Sequence, residues 1–143
     1  MGGDPWSGNS KAIQILYTYT NGTYNETRVF IAADDTGTYT LVPDDDTDDD
    51  DSSTVAPTIA QPSGAAIDIV SVIWGLAQID TESVWDNLYD DYADGDTFDA
   101  QDQFFGTDTW WGTVKSCTIW YTAPNGTLCA LTGRENSEVG FSY

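Results

Sequence analysis

The residues best placed to do chemistry in this chain are aspartates. The stretch DDYADGDTFDAQDQ sets Asp94, Asp96, Asp99 and Asp102 close together around Gly95. Hard oxygen ligands at short spacing, on a turn that glycine permits, suit Ca²⁺ or Mg²⁺. The pattern departs from an EF-hand loop, because its glycine comes too early and no Glu closes it. No cofactor is required by anything else in the sequence. A divalent ion at these four aspartates is the one candidate, with solvent cations around the remaining acids.

Aromatic residues form the second candidate group. Phe104, Phe105, Trp110 and Trp111 fall in a short, polar, glycine-containing stretch. Rings flanked by Asp can stack on the apolar faces of sugars while carboxylates take the hydroxyls, and rings equally fill cores and subunit interfaces. If this segment is an extended strand, Trp110 and Trp111 point to opposite faces and cannot share one core. One of them then meets a partner.

Much catalytic equipment is missing. The chain has no His, which removes the usual general base, the triads built on it and the commonest zinc ligand. It contains no GxxxxGK[ST] or GxGxxG phosphate loop. Lys11, Arg28, Lys115 and Arg134 are its only cations, a poor supply for anionic substrates. Two carboxylates can hydrolyse a glycoside, but among 24 acids no pair stands out. The expectation is a non-enzyme without catalytic residues.

Stepping outward, the elements that must carry these residues fall in two halves. In AIQILYTYT, residues 12 to 20, Ile13, Ile15, Tyr17 and Tyr19 alternate with polar residues, the period of a half-buried strand. Asn21-Gly22 is a hairpin dipeptide, and TYNETRVFIA and TYTLV at 38 to 42 follow as further strands. The hairpin register stays open. A tight turn at Asn21-Gly22 would set Ile13 opposite Phe30 and strand Ile31 on the polar side, whereas a longer loop would not. Residues 43 to 64 combine seven Asp between Asp44 and Asp51 with three prolines, and read as an acidic linker or surface loop.

Residues 65 to 78 are apolar on nearly every side and rich in β-branched residues, a pattern that a helix and a buried strand share, and of the two we expect a helix there. Thr81 and Glu82 open an amphipathic helix over 81 to 93, with Val84, Trp85, Leu88, Tyr89 and Tyr92 at helical spacing and Gly95 just beyond. Strands return as TWWGTVKSCTIWYT, TLCALTG and EVGFSY. A type I turn at Ala123-Pro124-Asn125-Gly126 would pair Tyr121 with Cys129 and Ile119 with Leu131. That register puts Cys117 opposite Gly133, roughly 13 Å from Cys129 at ~3.4 Å per residue. A disulfide needs Cα atoms within ~7 Å, so Cys117 and Cys129 are expected to be free. Asn21, Asn25 and Asn125 begin N-x-T sequons, which read here as turn formers.

The expected fold is therefore α+β, mainly antiparallel strands from both ends of the chain with one or two central helices. An all-β sandwich or barrel is the alternative. The 143 residues are expected to form one domain. No apolar run is long enough to span a bilayer, and the N-terminus MGGDPWSGNSK lacks the basic start and apolar stretch of a signal peptide.

Charge decides the class of partner. The net charge is −20, and removing the acidic run still leaves 17 acids against four bases. Such a surface is ill suited to nucleic acid or anionic lipid, whose binding needs cations. Dispersed negative charge repels itself in dilute buffer and much less at molar salt. With Asp exceeding Glu five to one and 19 Thr, the composition resembles that of proteins from extremely halophilic archaea and their viruses. The resemblance implies a habitat, and hence a virion or the cytoplasm of a halophile. Together with the missing catalytic groups, it leads us to expect a structural or assembly protein, such as a capsid decoration, turret or tail protein. Its partners would be copies of itself or other structural proteins. A glycan- or surface-binding module and an acidic nucleic-acid mimic are the alternatives.

Overall fold

Period-two patterning builds the N-terminal hairpin as expected. In the computed structural model, which describes residues 10–22, 24–33 and 53–141, β1 (Ala12–Asn21) pairs antiparallel with β2 (Tyr24–Ala33). Pairing ends at Asn21 and Tyr24, one residue later than an Asn21-Gly22 turn would set it. Ile15 therefore faces Phe30 and Ile13 faces Ala32. This settles the open register. A third strand, β3 (Ser53–Val55), pairs with the other edge of β2. Part of the expected linker is thus a strand, because its Ser-Thr-Val triplet lies in the proline-free stretch between Pro43 and Pro57. The expected strand at 38–42 and the run Asp44–Asp51 lie outside the described residues.

The central segment corrects the sequence-based expectation. Residues 65 to 78 form no helix; they form β4 (Asp68–Trp74) and the short β5 (Ala77–Gln78). Ile67, Ile69, Val70, Val72 and Ile73 are β-branched, stiff at χ1, and suit a strand. Apolarity on both faces reflects a central strand buried on both sides, not a buried helix. Gly75, at φ +59°, then makes the turn into β5.

β4 lies between β5 and β7 (Ser116–Thr122), and β8 (Leu128–Arg134) completes a four-stranded antiparallel sheet in the order β5-β4-β7-β8. The turn at Ala123–Gly126 sets the register its residues predict, with Tyr121 opposite Cys129, Ile119 opposite Leu131 and Cys117 opposite Gly133. The Ala123 N–H reaches the Thr127 carbonyl at 2.8 Å, and Gly126 takes φ +81°. The first part of the expected strand, residues 109 to 115, is instead loop.

Helix α1 (Glu82–Asp94) matches the amphipathic pattern. It buries Val84, Trp85, Leu88 and Tyr89 against the face of the sheet that presents Val72, Trp74, Cys117 and Ile119. Gly95 ends it in the left-handed conformation, its N–H on the Asp91 carbonyl. Thr81 occupies the N-cap without a side-chain cap bond. The Tyr89 hydroxyl accepts the Ile69 N–H at 3.1 Å, where the β4–β7 ladder shifts register between Ile69 and Ser71. Helix and sheet are thereby locked at a bulge.

β6 (Thr97–Asp99) pairs with β9 (Glu138–Gly140), and the four-residue α2 (Asp102–Phe105) follows β6. The opposite face of the central sheet is buried as well, at Ser71, Ile73 and Thr118. The N-terminal sheet is tied to the central one by Gln14, which donates to the Gly75 carbonyl, and Gln78, which donates to the Val55 carbonyl, both at 3.1 Å. The architecture is β-rich and antiparallel with few helices, within the range of an α+β or mostly-β fold.

Candidate functional site

A single buried cation organises the loop that carries the tryptophans. Lys115 sits just before β7 with only 3% of its side chain exposed. Its ammonium meets Asp108 at 2.9 Å, Asp102 at 3.4 Å and Glu135 at 3.5 Å. The same nitrogen lies 5.7 Å from the centre of the Trp74 ring. Burial alone would pull the Lys115 pKa down, but Asp108, Glu135 and Asp102 together outweigh it and hold the pKa above the ordinary lysine value. Asp108 is held below the usual carboxylate range, chiefly by its hydrogen bond to Lys115.

Around this hub the local chain is closely fixed. The Trp74 indole donates to Asp102 at 2.7 Å and stacks on Phe105 with centroids 4.6 Å apart. Thr109 donates its hydroxyl to the Trp74 carbonyl. Asp108 accepts the Trp110 N–H at 3.1 Å, and Thr113 donates its N–H to the Trp110 carbonyl at 3.1 Å. A Cβ on Gly75 would stand 2.5 Å from the Thr109 hydroxyl oxygen, so the close approach of loop to turn requires glycine there.

The four aromatic candidates take three different positions. Phe105 is fully buried, and Phe104 stacks on Phe98 with centroids 4.4 Å apart, so both serve the core. Trp110 lines a groove. Trp111 is 89% exposed at the tip of the loop, with Val114 also exposed nearby. The segment is a turn and not a strand, so its side chains do not alternate between two faces, yet the two indoles are separated all the same.

The groove beside the loop has a volume of about 710 Å³. Lys11, Lys115 and Arg134 line it, together with Trp110, Ser116 and Thr132. Three of the four cations of the chain thus border one groove, and among its described lining residues none is acidic. The sequence did not indicate this, because Lys11, Lys115 and Arg134 are far apart along the chain and meet only where the start of β1 passes the ends of β7 and β8.

The aspartates near Gly95 do not come together. Among the described residues no group of three or more carboxylates or thiols is placed to hold a metal ion. Asp102 is turned to Trp74 and Lys115, while Asp94, Asp96 and Asp99 are exposed around the end of α1 and along β6. The short spacing was dispersed by a helix end followed at once by a strand. Asp91, beside them, has its pKa raised first by burial and then by Asp96, Asp90 and Asp94.

Cys117 and Cys129 are both free. Cys117 is fully enclosed, and burial pushes its thiol up to about 11. Comparison with protein-family models, with curated proteins and with solved structures finds no match.

Proposed function

We propose that this chain is a non-enzymatic structural or assembly protein built for molar salt. In this proposal it is a small component of a haloarchaeal virus particle, such as a capsid decoration, turret or tail protein, and its contact with neighbouring copies centres on Trp111. The observation that carries the proposal is the 89% exposure of that indole on a loop anchored by Lys115. Tryptophan is the side chain most enriched at the energetic centres of protein interfaces, and a pre-ordered loop loses little entropy on docking. β1 adds support: among the described residues it is an end strand in the order β1-β2-β3, ten residues long and without a single charge. End strands that avoid pairing usually carry charge. Among the described residues no helix is long and apolar enough to cross a membrane.

Light scattering with circular dichroism between ~0.1 and ~3 M KCl tests this, since the screening length falls from ~10 Å to below ~3 Å over that range. A defined oligomer at the high end is expected. A folded monomer throughout would overturn it.

The groove favours a second reading, a glycan- or surface-binding module, because Trp110 lines it beside hydroxyl side chains.

A further inference from the structure

We infer that the groove between the start of β1 and the ends of β7 and β8 binds a carboxylate-bearing saccharide. The inference deepens the glycan-binding reading and rests on it.

On a chain carrying 24 acids, a groove with no acid among its described lining residues and with the exposed Arg134 at its edge is a departure from the surrounding surface. The Lys115 ammonium is already met by three carboxylates, so that residue contributes mainly its stem, whose Cγ and Cδ pack under Gly75. Arg134 remains as a cation at the groove's outer edge. The Arg134 side chain makes no hydrogen bond or ion pair among the described residues and is exposed. Its planar fork suits a carboxylate, and bidentate pairing depends on geometry that salt screens less than it screens distant charge.

The other lining residues narrow the ligand. Ser116 and Thr132 offer hydroxyls, and Trp110 offers an indole, the combination that suits a ring with an apolar face and a polar rim. At about 710 Å³ the groove can hold a short oligosaccharide.

The test is titration of the full chain in molar KCl with trigalacturonic acid and with neutral maltotriose, followed by tryptophan fluorescence and calorimetry. Saturable binding of the acidic trimer is expected, with the neutral one weaker by about tenfold or more, the loss of a charge-assisted contact. Arg134→Gln, at an exposed position, should weaken the acidic trimer about tenfold without altering the melting curve. Trp110→Phe should weaken it less, and Trp111→Ser should leave it unchanged. Equal binding of both trimers would overturn the inference while leaving the glycan reading standing. Binding of neither would overturn both. Unaltered binding by Arg134→Gln, or equal competition from poly-aspartate, would also overturn the inference.

Discussion

The ammonium of Lys115 lies 5.7 Å from the centre of the Trp74 ring, and Asp102 joins the two by accepting the indole N–H and pairing with the lysine. A core aromatic and a buried cation thus share one carboxylate. Through Asp108 and Thr113 the same cation fixes the loop that displays Trp111.

Lys115→Met should therefore cost more than its charge alone suggests. Asp102, Asp108 and Glu135 would be left facing one another, although Asp102 and Asp108 keep side-chain exposures of 38% and 34%, which screens their repulsion. Denaturant unfolding should show a loss of about 2 kcal/mol, below the figure for a fully buried pair. The pH dependence gives a second check. The Asp108 pKa is lowered in the folded state, so its stabilisation is present above its unfolded value and lost as pH falls. The variant should lose this part of the acid sensitivity.

Asp91→Asn should stabilise the protein. The Asp91 pKa is raised by burial and by Asp96, Asp90 and Asp94, and it lies in a helix C-terminal turn without a basic residue. A carboxyl raised in this way costs stability above its folded pKa and regains it on protonation. A gain of up to about 0.5 kcal/mol at low salt is expected, because Asp91 is only half-buried and the neighbouring Asp90, Asp94 and Asp96 are exposed and screened. The gain should shrink at molar salt. A gain that grows with salt would contradict the repulsion invoked here.

Cys117 should resist alkylation in the native protein. Its thiol is pushed up to about 11 by burial, so almost none is thiolate at pH 8, and the sulfur is enclosed. Mass spectrometry after iodoacetamide at that pH should find Cys117 unmodified until denaturant is added. Since the folded pKa is the higher one, stability should fall as pH rises from the unfolded value of 9.0 towards 11.

Local patterns made part of this molecule readable. The period of α1, its glycine stop and the Ala123–Gly126 turn fixed one helix and the β7–β8 register, and these are interactions between near neighbours in the chain. The segment over residues 65 to 78 forms strands where a helix is expected, because apolarity on all sides is shared by buried helices and central strands. Its β-branched residues were the better guide. Of the candidate site, the sequence separates Trp110 from Trp111 only on the premise of a strand, which does not form, and does not say which of the two is exposed. The Lys115 hub and the cationic groove were not legible, since each joins residues from distant segments.

Trp111→Ser, compared with the native chain by sedimentation at ~3 M KCl, tests the assembly proposal most directly. The exposed ring makes little contribution to folding, so the melting curve should move by no more than about 0.5 kcal/mol. The native chain should sediment as a defined oligomer and the variant as a smaller species or a monomer. Identical sedimentation of the two at equal concentration would contradict the central role given to Trp111.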